Sequence, residues 1–191
     1  MRLFVAADLP EDAREAIAAG QKRIASTLGG SAGALKWVKA DHAHLTLVFL
    51  GNVEEVRVPA VVDAVGRHVD AAPFEISLET IGAFPARGAP RVLWIGVVDG
   101  ATQLSEMQRE LAERIAAIGI LLEDRPFHPH LTLARWRESR SADRERALAA
   151  APPGVVARAC VAGATLYQSR LSPAGPSYTA LARANLSGRA T

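Results

Sequence analysis

Two periods of hydrophobicity alternate along the chain. Stretches rich in β-branched and aromatic residues, or apolar at every second position, are followed by stretches whose apolar residues recur every three or four positions. Residues 2–9, RLFVAADL, predict a strand. Residues 10–26, PEDAREAIAAGQKRIAS, open with proline and acids and carry a helical apolar stripe, and residues 44–51, HLTLVFLG, alternate and stop at glycine. Residues 53–69, VEEVRVPAVVDAVGRHV, predict a second helix with Pro59 near its first turn or kinking it, and residues 74–84, FEISLETIGAF, a third strand.

The order then restarts. RVLWIGVV (91–98) predicts a strand, GATQLSEMQRELAERIAAIG (100–119) a strongly amphipathic helix, and HLTLARW (130–136) another strand. SADRERALAAA (141–151) predicts a short helix, VVARACVAGATLYQS (155–169) one long strand, and PSYTALARANL (176–186) an extra strand at the end. Each half therefore reads strand, helix, HLTL strand, helix, strand, with the tetrapeptide at 44–47 in one and at 130–133 in the other. Two copies are too few for a solenoid, but two facing copies make a cleft. The expected organisation is a single α+β domain over 1–191, built as two lobes related by an approximate twofold axis. The repeat halves fall at about 1–88 and 89–191.

Side chains alternate across a strand, so His44 and Thr46 share one face and Leu45 and Leu47 the other. His130 and Thr132 are likewise separated from Leu131 and Leu133. The leucine faces can pack under helices, leaving an imidazole and a hydroxyl from each lobe toward the cleft. A single His-x-Thr on a strand is common in proteins where the histidine is a satisfied core residue and the threonine a good strand former. Two identical copies in matching frames argue instead for one shared site.

Composition narrows the class. At 191 residues with 49% hydrophobic content the chain can bury a core without staples, and its single cysteine, Cys160, excludes an intrachain disulfide. Lying in an apolar run, Cys160 is expected to be a buried, inert thiol. The apolar stretch at the N-terminus is too short for a signal-peptide core, and none elsewhere is long enough to span a bilayer, so the expected location is cytoplasmic. A formal charge of +2 argues against a protein that coats long nucleic acid, while leaving room for a local anion site. The arginine-rich run 134–146, ARWRESRSADRER, is interleaved with acids and reads as a solvated loop and helix face.

Two imidazoles and two hydroxyls, with no serine or cysteine nucleophile motif beside them, suit acid and base work on a group that accepts several hydrogen bonds. A phosphodiester fits: its non-bridging oxygens accept from threonine, and its displacement needs a base on one side and an acid on the other. Histidine can hold either role near neutral pH.

RLFVAADLP, HLTLVFLG, PRVLWIGV and PHLTLAR, taken in that order, resemble the two-histidine (2H) phosphoesterase superfamily. Within it they are most similar to the RNA 2′,3′-cyclic phosphodiesterase family, historically called 2′-5′ RNA ligase. The resemblance spans nearly the whole chain. It implies a bilobal fold with antiparallel sheets around a central cleft, no metal or other cofactor, and conversion of RNA 2′,3′-cyclic phosphate ends, or cyclic nucleotides, to 2′-phosphates. The ligation direction is part of the family's history. Carried over by position, the pattern makes His44 the proton donor and His130 the proton acceptor, with Thr46, Thr132 and Arg135 on the phosphate. The protein is expected to act as a monomer away from membranes.

Phe49 and Phe127 beside the motifs, and Trp37 upstream, are candidates to stack on a nucleobase, against the plainer role of core residues. His42 and His128 stand two residues before each motif histidine, and His-x-His is also a metal-ligand spacing. A metal-dependent hydrolase is therefore one rival. No carboxylate recurs at a matching spacing, and Pro129 suggests that His128 precedes its strand, so both histidines are expected to be loop residues or residues supporting the site from behind. His68 is expected on the surface of a helix. A module that binds phosphorylated RNA ends without turning them over is the other rival.

Overall fold

The computed structural model describes residues 1–173 and 175–188. Among the described residues nine strands form two antiparallel sheets. The first has the order β3 (His44–Asn52), β1 (Arg2–Asp8), β8 (Gly163–Ser172), β9 (Gly175–Asn185). The second has the order β2 (Leu35–Trp37), β6 (His130–Trp136), β5 (Val92–Val97), β4 (Phe74–Phe84), β7 (Ala157–Val161). Strand β1 pairs with β3 on one side and with β8 from the end of the chain on the other, β8 pairs with β9, and β4 from the first half pairs with β5 and β7. The first half thus contributes β2 and β4 to the second sheet and the second half contributes β8 and β9 to the first, which ties the two halves together by backbone hydrogen bonds.

The helices follow the same exchange. α1 (Glu11–Leu28) packs on β7 and α4 (Ser141–Ala149), while α3 (Ala101–Ala117) packs on β3 and on α2 (Val58–Gly66). Helix α1 forms where Glu11 and Asp12 meet the partial positive charge of its first turn, and it buries Ala13, Ile17 and Ile24. Helix α3 buries Leu104, Met107, Leu111 and Ile115, a stripe at helical spacing. Pro59 lies in the first turn of α2, where a missing N–H costs nothing.

Leu45, Leu47, Leu131 and Leu133 are all buried in one continuous core. At roughly 1.5–3 kcal/mol for each fully buried leucine, this apolar face fixes which way both HLTL strands point. Slipping either strand by one residue would expose its leucines and bury its histidine.

Three expectations are corrected, and one element went unseen. Residues 155–169 are not one strand: β7 ends at Val161 in the second sheet and β8 starts at Gly163 in the first. The crossing requires glycine, since a Cβ on Gly163 would collide with the Ala184 carbonyl oxygen. The apolar run hides the break because both strands are buried there. Cys160 is exposed, not buried, because the alternation of β7 places Ala159 and Val161 inward and Cys160 outward beside Glu75 of β4. Partial loss of hydration against the sheet and the neighbouring Glu75 carboxylate push its thiol up. His68 lies on the surface but beyond the end of α2, which stops at Gly66. Strand β2, three residues long, has too little pattern to be visible in the sequence.

Candidate active site

His44 and His130 open their strands at equivalent places, and both line one cleft of about 520 Å³ together with Thr46, Thr132 and Arg135. Arg135 reaches it through a backbone irregularity. In the β5–β6 ladder Trp94 pairs with Thr132 and Leu93 with Ala134, so Leu133 is an extra, bulged residue. In the β1–β3 ladder Ala6 pairs with Thr46 and Val5 with Val48, so Leu47 is extra in the same way. Strict alternation would send Val48 and Ala134 to the cleft. The bulge buries both and brings Phe49 and Arg135 out instead.

The bulge in β6 has its own support. Val38 N–H and the Gln21 amide both donate to the Leu133 carbonyl at 2.9 Å, and Gln21 donates a second hydrogen bond to the Val38 carbonyl at 3.0 Å. A buried glutamine on α1 therefore joins the end of β2 to the bulge that turns Arg135 outward.

Each motif histidine is oriented by the backbone two residues before it. His44 Nδ1 donates to the His42 carbonyl at 2.7 Å, and His130 Nδ1 donates to the His128 carbonyl at 2.6 Å. A carbonyl only accepts, so Nδ1 carries the proton and Nε2 is left to exchange one with substrate. The residue two positions before each motif histidine thus contributes its main-chain carbonyl. The His42 ring lines the cleft and leans on Tyr178, and His128 is exposed and outside the cleft lining. Among the described residues no group of three or more His, Cys, Asp or Glu side chains is arranged to hold a metal ion.

Both imidazoles are walled by aromatic rings. Phe4 stacks on His44 with centroids 4.9 Å apart and Tyr178 meets its ring edge-on at 5.4 Å. Phe84 meets His130 edge-on at 5.1 Å and Trp94 at 6.0 Å. The Trp94 indole lies across Gly82, where a Cβ would run into the ring, so only glycine leaves room for it.

Burial holds both imidazoles below the ordinary histidine value, because the charged form loses its water. The His42 carbonyl and Asp8 act against this at His44, while His42 and Arg135 reinforce it. At His130 the His128 carbonyl acts against it, and His128 and Arg135 reinforce it.

Arg2, Lys36, Lys39 and Arg135 line the cleft, and among the described residues no carboxylate does. Lys36 stands directly across the β2–β6 ladder from Arg135, an arrangement of like charges that costs stability unless an anion sits between or beside them. Arg2 lies over the Phe49 ring at 5.1 Å. Of the three aromatic candidates, Trp37 and Phe49 line the cleft, Phe49 being 39% exposed. Phe127 does not; it packs against the core. The sequence reading missed Phe4, Tyr178, Lys36, Lys39, Arg2 and Ser169. Tyr178 could have been found by alternation in PSYTALARANL, but the lysines depend on β2. In the arginine run only Arg135 reaches the cleft: Arg146 pairs with Asp143 at 3.7 Å and Arg144 donates to the Pro85 carbonyl.

A groove of about 630 Å³ lies elsewhere, between residues 69–74 and α3. Its walls carry Asp70, Glu106, Glu110 and Glu113 against a single cation, Arg109, a balance that disfavours a phosphate, and neither motif histidine.

A family model described as the 2′-5′ RNA ligase superfamily matches residues 10–169. An RNA 2′,3′-cyclic phosphodiesterase of Archaeoglobus fulgidus is 36% identical over 180 residues, covering 93% of this chain and 96% of that protein. One of Thermus thermophilus is also 36% identical, covering 98% and 91%. Among solved structures, E. coli LigT complexed with 3′-AMP superposes with a TM-score of 0.77 at 32% identity, covering 97% of each chain. A Thermus thermophilus protein of solved structure superposes with a TM-score of 0.77 at 33% identity over all of both chains. With the doubled motif, the two exchanged sheets and these likenesses together, the chain belongs to the 2′-5′ RNA ligase superfamily.

Proposed function

We propose that the protein hydrolyses RNA 2′,3′-cyclic phosphodiester ends to 2′-phosphates through a pair of histidines and without a metal ion. Water attacks phosphorus as His130 Nε2 takes one of its protons. The bond from phosphorus to the 3′ oxygen breaks as His44 Nε2 gives that oxygen a proton. The new 2′-phosphate leaves, and the two imidazoles regain their starting states by exchange with solvent. With a ribose 5′-hydroxyl in place of water, the same steps form a 2′-5′ linkage.

Thr46 and Thr132 hold the non-bridging oxygens, and Arg135 offsets charge on the phosphate as it develops. The bound phosphodiester anion also favours the charged form of His44, countering the effect of burial. Phe49 and Trp37 offer faces to a base, and Lys36, Lys39 and Arg2 suit the backbone of a chain.

The observation that carries this reading is the matched pair itself: two imidazoles, each fixed by the carbonyl two residues earlier, in one cleft lined by cations and, among the described residues, by no carboxylate. The names of the relatives and the 3′-AMP bound to LigT agree with it. The test is incubation of pure protein with a 2′,3′-cyclic nucleotide and assignment of the product by phosphorus NMR. The 2′-phosphate is expected; binding without turnover would leave a module that only holds phosphorylated ends.

A further inference from the structure

The two halves of the cleft are alike in their histidines and threonines but not in what faces them across the ladder. In the first sheet Ala6 stands opposite Thr46 and Asp8 opposite His44. In the second sheet the matching positions are Trp94 opposite Thr132 and Gly96 opposite His130. A carboxylate therefore accompanies one motif histidine, and a residue with no side chain accompanies the other. Residues directly opposite on adjacent strands bring their Cβ atoms within roughly 4.5–5.5 Å, close enough for a carboxylate to act on an imidazole.

The Asp8 carboxylate is fixed in place. Thr165 Oγ1 donates to it at 2.6 Å, the Tyr167 hydroxyl at 2.5 Å, and Arg183 lies 3.6 Å away. These partners come from β8 and β9, the strands that the second half of the chain contributes to the first sheet. The other groups facing His44 are the His42 ring on its own side, Arg135 from β6, Tyr178 from β9 and Phe4 from β1. Asp8 is the one anion among them. His130 is faced by His128, Arg135, Phe84 and Trp94, with no anion among the described residues.

We infer that Asp8 sets the direction of proton flow: held opposite His44, it favours the imidazolium there and makes His44 the acid, while Gly96 leaves His130 to serve as the base. Asp8 is a positioning residue that touches no reacting atom, and the inference rests on the paired-histidine reading above. It explains how a cleft with near-twofold symmetry runs an asymmetric reaction. It agrees with the direction in which Asp8 acts on His44, upward against burial.

The experiment compares pH profiles of kcat/KM for wild type, Asp8→Asn and Tyr167→Phe on a 2′,3′-cyclic nucleotide and on an activated nitrophenyl diester. In Asp8→Asn the descending limb, which reports the acid, should move to lower pH and the ascending limb should stay. Activity at the alkaline end should drop about tenfold for each unit moved. The loss should be smaller on the activated diester, whose leaving group departs without a proton. Tyr167→Phe removes a hydrogen bond from the Asp8 carboxylate, keeps the ring, and should move the same limb to higher pH; it also serves if Asp8→Asn fails to fold. Unmoved limbs in folded variants, or an equal loss on both substrates, would overturn the role of Asp8. Movement of the ascending limb would overturn it too. Failure of the paired-histidine reading looks different: His44→Ala would then turn over the cyclic nucleotide as well as wild type does.

Discussion

Phe49 and Arg135 occupy the same place in the two halves of the cleft, each brought to its surface by a bulge at the second leucine of an HLTL strand. One is a flat apolar face and the other a planar cation. The two motif strands thus share a framework and differ at this position, and they differ again opposite the motif histidines, where Asp8 faces His44 and Gly96 faces His130.

Arg135→Met should lower kcat/KM by about 10–100-fold, in line with loss of a hydrogen bond to a charged group at roughly 1.5–3 kcal/mol. Phe49→Leu should act mainly on KM, and more on nucleotides than on a nitrophenyl diester, which has no base. Steady-state kinetics on both substrates separates the two residues; an effect of Phe49→Leu equal on both would remove it from base contact.

Gln21→Leu should cost about 1–3 kcal/mol in urea unfolding, because the Val38 carbonyl loses its side-chain donor and the Leu133 carbonyl keeps only Val38 N–H. It should also lower activity without touching substrate, since Arg135 follows the bulge. An unchanged kcat/KM in the folded variant would show that the bulge holds without the glutamine.

The histidine and threonine positions were legible because a strand alternates with period two, and a repeated tetrapeptide fixes the face of both copies at once. Arg135 was reached by resemblance and not by geometry, since simple alternation puts Ala134 on the cleft face and a bulge leaves no mark in the residue types. The break at Ala162 was hidden by continuous hydrophobicity, and with it the exchange of strands between sheets. Asp8 was invisible for a different reason: its importance lies in the register of β1 against β3, which no local pattern encodes. The carbonyl contacts made by His42 and His128 could not be read either, because a main-chain atom leaves no mark in the residue type.

His42→Ala and His128→Ala should retain most activity, within about tenfold of wild type, because a main-chain carbonyl survives truncation of the side chain. A loss as deep as that of the motif histidines, with restoration by added zinc, would favour the metal-dependent reading. The assay is turnover with and without chelator.

Acid should destabilise the fold through both motif histidines. Their folded-state values lie below the ordinary 6.5, so as pH falls the unfolded chain binds protons first. There is no penalty above about pH 6.5, and below it stability falls until the folded-state values are passed. Urea unfolding between pH 7.5 and 5 should show this decline, and a His44→Gln, His130→Gln double variant should show a shallower one.

The most direct test is turnover of a short RNA with a 2′,3′-cyclic end by wild type, His44→Ala and His130→Ala, each in excess chelator and each verified as folded. Wild type should keep full activity and yield the 2′-phosphate. Each single variant should lose on the order of 10²–10⁴ in rate, since each lacks one proton-transfer group. Thr46→Val and Thr132→Val, measured alongside, should lose less. Near-normal turnover by either histidine variant, or loss of wild-type activity in chelator with recovery on adding metal, would contradict the paired-histidine mechanism.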